Sequence, residues 1–281
     1  MKNRSGATIS ALGRLTRPVN VLITGLSVLV AALISGPIIS LETVIFACIS
    51  ASFIMAAGNT INDYYDIEID RINKPERPLP SGDVSLKTAW LAAMVEFFTG
   101  IAISAFLSPE MFAVAFTFSL LIYLYAAKLK RTVLWGNITV SMATAAAFIY
   151  GGLAVQKAEE AVIPAIFAFL FHFGREIIKD MEDVEGDRRE NALTFPIRYG
   201  FPASIRLITY IFIVLIAVTI FPFAIGIYGK IYMLIVAAGV HSVLLYVLLR
   251  LRRDTSPVHL HFLSNLLKAD MVIGLLAVYF R

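Results

Sequence analysis

The sequence of 281 residues predicts an all-α membrane protein, a bundle of nine transmembrane helices around a lipid cavity with two Asp-rich motifs on the cytoplasmic side. Three observations carry this expectation. The chain is 58% hydrophobic and only 16% charged, with a mean hydropathy of +0.78, whereas an ordinary soluble domain has about 25% charged residues. Apolar runs long enough to cross a hydrocarbon core of about 30 Å recur along most of its length. Lys and Arg alternate between loops: with a cytoplasmic N-terminus, all of the 24 except Lys157, Lys230 and Arg281 fall on the inner side, as the positive-inside rule requires. No low-complexity tract separates two halves, so residues 1–281 read as a single multi-pass domain of a cell membrane. Nothing in the pattern calls for nucleic acid. The only cysteine, Cys48, lies in an apolar run and is read as packing.

Residues 1–17 are basic at the start and read as a cytoplasmic or interfacial segment, with Ile9, Leu12 and Leu15 on one side and Arg14 and Arg17 toward headgroups. A secretory signal is rejected because the apolar run Val19–Ile39 is too long for one and further spans follow. The nine spans are placed at about 18–38, 43–61, 88–107, 111–127, 133–154, 162–179, 203–225, 231–250 and 262–280. The loops after the second and sixth spans are four crossings apart and therefore open on the same side.

Those two loops carry the chemistry. Asn62 to Gly82 places Asp63, Asp66 and Asp70 at the mouth of an apolar segment, followed by Arg71, Lys74 and Arg77. The acidic spacing returns as Asp180, Asp183 and Asp187, each offset by 117 residues. On a helix, positions i, i+3 and i+7 lie within about 60° of one another, so each triplet shares a face. Asn59, Asn62 and Glu176 extend the two polar ladders. Facing carboxylates cannot all ionise unless cations sit between them, and oxygen ligands without Cys or His select Mg²⁺. Lys128, Lys130 and Arg131 share that side with Arg71, Lys74 and Arg77; magnesium and these cations together would clamp a diphosphate. Because the rest of the cavity is membrane-level and apolar, the rest of that substrate should be lipid. Tyr123 and Tyr125 either orient the diphosphate or belong to an interfacial aromatic belt. His172 is a core histidine or lines the cavity. His259 and His261 read as a loop, and Arg250, Arg252 and Arg253 as a headgroup anchor.

At these residues the chain resembles the UbiA-type intramembrane prenyltransferases. NDYYDIEID matches the family's NDxxDxxxD, INKPERPLPSG matches its tail, and KDMEDVEGD with TFPIRYG matches the second motif; YLYAAKLKRTVLWGN resembles its tyrosine and lysine element. The resemblance implies nine helices and Mg²⁺-dependent binding of an isoprenyl diphosphate. It makes Asn62, Asp66, Asp183 and Asp187 the nearest metal ligands, and Asp63, Asp70 and Asp180 ligands, water holders or partners of the basic residues. Asp66, Asp183 and Lys128 become the principal catalytic candidates. The form of the motifs is most similar to the archaeal members that join geranylgeranyl diphosphate to the hydroxyl of geranylgeranylglyceryl phosphate, the second ether bond of archaeal lipids. For the lipid-phosphate acceptor, Arg14, Arg17, Asn20 and His172 are candidates.

The expected reaction is ionisation of the allylic diphosphate and attack of the hydroxyl on C1, with water excluded by the apolar cavity. No strong base is demanded, since a carboxylate or the released diphosphate can take the proton. The rivals are an aromatic-acceptor prenyltransferase of quinone or haem synthesis, a cation transporter with an Asp-lined site, and a non-catalytic lipid-binding scaffold.

Overall fold

The computed structural model describes residues 4–189 and 191–281, except the side chains of residues 4–9 and 73. Nine helices among the described residues are long and apolar enough to cross a membrane. The chain divides into two compact units, Met1–Leu129 with Ala146–Ala161, and Lys130–Ala145 with Val162–Arg281.

The first unit contains α1 (Arg4–Leu15), α2 (Pro18–Ser35), α3 (Leu41–Tyr65), the short α4 (Ile67–Asn73), α5 (Leu86–Leu107), α6 (Pro109–Ala127) and the end of α7 (Trp135–Ala154). Helix starts follow local chemistry. Pro18 and Pro109 occupy the first turns of α2 and α6, where no amide donor is needed. Ser40, Ser85 and Ser108 accept from the amides of Thr43, Thr88 and Met111 at 3.2, 3.1 and 3.1 Å, satisfying donors that the helix leaves open. Helix α3 packs against α2, α5 and α6. Small residues let the backbones close in: a Cβ on Gly100 would lie 2.9 Å from the Ser50 carbonyl, and one on Gly151 2.3 Å from that of Val28. The Ser50 hydroxyl donates to the Gly100 carbonyl at 2.7 Å and lies 2.9 Å from the Tyr150 hydroxyl, so the central polar group is not left unpaired.

Helix α1 is covered by protein as well as amphipathic. Ala11 and Leu15 are fully buried with Leu79, Val84 and Ala89, and Leu12 and Ile67 pack on this cluster. The loop after α4 thus forms a lid over α1. The side chain of Ile9 lies outside the described residues.

The second unit contains the start of α7, α8 (Val162–Glu182), α9 (Val184–Arg189), α10 (Phe195–Ala224), α11 (Lys230–Ile235), a π-helical turn (Val236–His241), α12 (Ser242–Leu251) and α13 (Pro257–Tyr279). Helix α8 packs on α10 and α13. A Cβ on Gly174 would come within 2.2 Å of the Phe212 ring, so glycine permits that contact. Helix α10 begins eight residues before the span expected from 203. A break at Gly200, with φ 79° and ψ 167°, joins residues 195–199 to the apolar run; only glycine takes that conformation cheaply. Helix α13 likewise begins at Pro257, so the loop expected for His259 and His261 is corrected to helix. Proline at the first helical position sets the start there, ahead of where hydropathy rises. His259 is buried, and His261 Nδ1 lies 2.7 Å from Glu182 Oε1 of α8.

Candidate active site

Both acidic motifs share a local design. In each, a long helix ends one residue before the middle aspartate, and a short helix starts one residue after it. Asp66, with φ −93° and ψ 5°, separates α3 from α4, and Asp183 separates α8 from α9. The i to i−4 backbone bonds nonetheless run on, Asp66 to Asn62 and Asp70 to Asp66 at 3.0 and 2.8 Å, Asp183 to Lys179 and Asp187 to Asp183 at 2.9 Å each. The sequence repeat is therefore a structural repeat, with a bend at the middle carboxylate.

The first unit divides its three aspartates between two tasks. Asp63 and Asp70 are buried. Arg17 donates to Asp63 Oδ1, and Arg77 bridges Asp63 and Asp70 at 3.3 and 2.6 Å. Two buried carboxylates thus receive two guanidinium groups, the arrangement that makes such burial tolerable. Asp66 is half-buried, and its Oδ2 accepts from Asn62 Nδ2 at 2.8 Å. Asp63 and Asp70 thus meet the arginines, while Asp66 meets Asn62 one turn before it on α3. Asn59 secures the N-terminal segment by donating to the Thr16 carbonyl at 2.8 Å.

The basic residues of this unit have distinct positions. Arg71 is exposed and paired with Glu68 at 2.9 Å, and Lys74 is exposed at the end of α4. Arg14 makes an exposed pair with Asp83 at 2.6 Å, a contact of little intrinsic strength. Asn20 stands in the first turn of α2, its amide bonded to the Arg17 carbonyl at 2.9 Å. The Tyr123 hydroxyl lies 2.9 Å from that of Tyr65, the neighbour of Asp66, which ties α6 to the first motif; Tyr125 is half-buried one helical step further. Lys128 caps α6 and is exposed.

In the second unit Asp180 Oδ2 accepts from Asn137 Nδ2 of α7 at 2.7 Å. Buried Glu176 accepts from Arg175 at 3.0 Å and Lys179 at 3.3 Å, and Arg175 Nε donates to the Ser264 carbonyl at 3.2 Å, tying α8 to α13. Asp183 is exposed and Asp187 half-buried. Lys130 and Arg131 lie in a 3₁₀ turn, where the Arg131 carbonyl accepts from the Leu193 amide at 2.9 Å. His172 is placed on α8, two turns before Asp180, with both ring nitrogens covered.

Sequence reasoning missed Asn137, Tyr65 and two intramembrane carboxylates. Asn137 sits in a quoted motif but is separated from Asp180 by 43 residues. Glu96 accepts from the Thr60 hydroxyl at 3.3 Å, and Asp270 is buried with neither oxygen bonded among the described residues. A single acidic letter in an apolar run was the available signal for both.

No three acidic, histidine or cysteine side chains converge on one point among the described residues. Each motif offers oxygen donors that are at least partly exposed, Asp66 in the first unit and Asp183 and Asp187 in the second, the donor type that magnesium takes.

The UbiA prenyltransferase family model matches residues 21–266. A digeranylgeranylglyceryl phosphate synthase of Methanopyrus kandleri is 35% identical over 94% of this chain and 96% of its own. A solved structure of digeranylgeranylglyceryl phosphate synthase superposes with a TM-score of 0.81 at 32% identity, covering 97% of both chains. A UbiA homologue from Archaeoglobus fulgidus bound to DMAPP and Mg²⁺ gives 0.70 at 19% identity, covering 95% of this chain and 98% of that one, and shares the fold. With two acidic motifs at the ends of α3 and α8, nine helices among the described residues fit for a membrane and this match over most of its length, the chain belongs to the UbiA prenyltransferase family.

Proposed function

We propose that the protein transfers a geranylgeranyl group from geranylgeranyl diphosphate to the free hydroxyl of geranylgeranylglyceryl phosphate, with Mg²⁺, at the cytoplasmic face of the membrane. The observation that carries this reading is the duplicated helix-bend-helix motif, which presents Asp66 and Asp183 at the ends of apolar spans. The name shared by the full-length relative and the 32% identical structure supports the acceptor. The Lys and Arg distribution supports the orientation.

Asn62, Asp66, Asp183 and Asp187 are the residues that would hold magnesium. Asp63, Asp70 and Asp180 bear instead on Arg17, Arg77 and Asn137, which positions the motifs. A bound magnesium ion supplies neutralisation of charge on the diphosphate oxygens. Lys128, Lys130, Arg131, Arg71 and Lys74 add charge-assisted hydrogen bonds to the same group, with Arg77 held by its two aspartates at the edge. Tyr123 and Tyr125 orient it. The bond from C1 to the diphosphate oxygen breaks as these contacts strengthen, and the apolar spans keep water from the allylic cation. The acceptor hydroxyl then attacks C1. Arg14 and Asn20 are suited to the acceptor phosphate, because the exposed Arg14–Asp83 pair exchanges easily for a phosphate; Arg17 contributes charge while remaining on Asp63.

The test is incubation of the detergent-purified protein with both substrates and Mg²⁺, read by product mass. The expected product is the digeranylgeranyl ether phosphate. An aromatic product from a panel of ring acceptors, with none from the glyceryl phosphate, would replace this acceptor.

A further inference from the structure

A ring of four links closes around the second acidic motif, all of it within one compact unit. The first link runs along the chain, from the 3₁₀ turn that carries Lys130 and Arg131 to Asn137 in the first turn of α7. The second crosses from α7 to α8, where Asn137 Nδ2 donates to Asp180 Oδ2 at 2.7 Å. The third is the motif itself, from Asp180 through the break at Asp183 to Asp187. The fourth returns through the backbone: the Ala192 amide donates to the Asp187 carbonyl and the Leu193 amide to the Arg131 carbonyl, each at 2.9 Å. Of the four, the link between Asn137 and Asp180 alone is made by side chains. Asn137 is buried, and its own carbonyl accepts from the Ser141 hydroxyl at 2.6 Å, so the residue that makes the crossing is itself held. A carboxylate only accepts, which fixes the amide nitrogen toward Asp180. Because that donor is a neutral amide, the contact supplies direction rather than a counter-charge.

We propose that Asn137 is a positioning residue, which acts through Asp180 to set the register between the basic turn and the carboxylates of Asp183 and Asp187. The inference rests on the transfer reading above, in which Lys130 and Arg131 meet the diphosphate while Asp183 and Asp187 hold magnesium. A diphosphate that bridges metal and cations depends on the spacing between them. Orthophosphate, with a single phosphoryl group, needs only one side. The pin between α7 and α8 therefore governs the preference for diphosphate over orthophosphate. Asp180 serves through its bond to Asn137, so the pair keeps its function when donor and acceptor are exchanged between the two positions.

The test measures binding of inorganic diphosphate and of orthophosphate by calorimetry in detergent, at one Mg²⁺ concentration, with the KM for geranylgeranyl diphosphate alongside. It compares the native protein with Asn137→Asp, Asn137→Leu and the exchanged pair, Asn137→Asp together with Asp180→Asn. Each single variant should weaken diphosphate binding about 10–100-fold, the usual cost of losing a partner behind a metal ligand, and raise the KM in step, with orthophosphate binding little changed. The exchanged pair should recover most of the diphosphate affinity. If neither single variant folds, the exchanged pair is set against the native protein directly: near-native diphosphate affinity supports the pin, and a loss of about 10-fold or more overturns it. Native diphosphate affinity in both single variants, equal weakening of both anions, or an exchanged pair no better than Asn137→Asp also overturns it. A native protein that binds diphosphate yet forms no ether overturns the acceptor reading instead and leaves the pin standing.

Discussion

Aspartates within a single motif carry different burdens. Asp66 accepts from Asn62 and is half-buried, whereas Asp63 is buried under Arg17 and Arg77. Asp66→Ala and Asp183→Ala should therefore each abolish turnover of labelled geranylgeranyl diphosphate while the thermal melt in detergent stays near native. Full activity in either would remove the metal-site reading. Arg77→Ala should act differently: it strips Asp70 of its guanidinium and leaves a buried carboxylate, costing about 3 kcal/mol. A melting temperature unchanged by that substitution would show that the pair is dispensable. The sequence offered Asp63 and Asp70 as possible partners of basic residues but did not say which, and it placed Arg77 in the diphosphate clamp and Arg17 among the acceptor contacts. The letters gave charge and membrane side, but not which carboxylate each arginine meets.

Helices were legible wherever hydropathy or a cap marked them, and less so where a polar stretch was helical. Helix α13 begins among histidines, and α10 begins before its apolar run, because Pro257 and the Gly200 break decide those starts. The breaks at Asp66 and Asp183, between α3 and α4 and between α8 and α9, carry no mark in hydropathy. Gly200→Ala should cost about 1–2 kcal/mol from the positive φ, and Gly174→Leu about 1–3 kcal/mol or more by crowding Phe212. Thermal unfolding of each variant in detergent would measure both; a native melt for Gly174→Leu would mean that α8 and α10 separate at little cost.

Across the molecule, each compact unit holds one copy of the acidic motif, and the spans and both motifs fit the UbiA prenyltransferase family. Chelation should abolish prenyl transfer by the intact protein, and added Mg²⁺ should restore it; activity that survives exhaustive chelation would separate the carboxylates from metal binding. Cation flux into proteoliposomes without prenyl transfer would favour the transporter reading, for which Glu96 and Asp270 are the relevant intramembrane carboxylates.

By itself the sequence determined the all-helical membrane class, the nine spans and the family motifs. A bilayer of fixed thickness demands long apolar runs, and backbone bonds close locally within them. Only the tertiary structure decided that Arg17 reaches Asp63 across 46 residues and Asn137 reaches Asp180 across 43. It likewise decided that Tyr65 meets Tyr123 and that α1 is buried under the loop after α4. Those contacts follow from how helices pack, and packing depends on the fit of side chains that are distant in the chain.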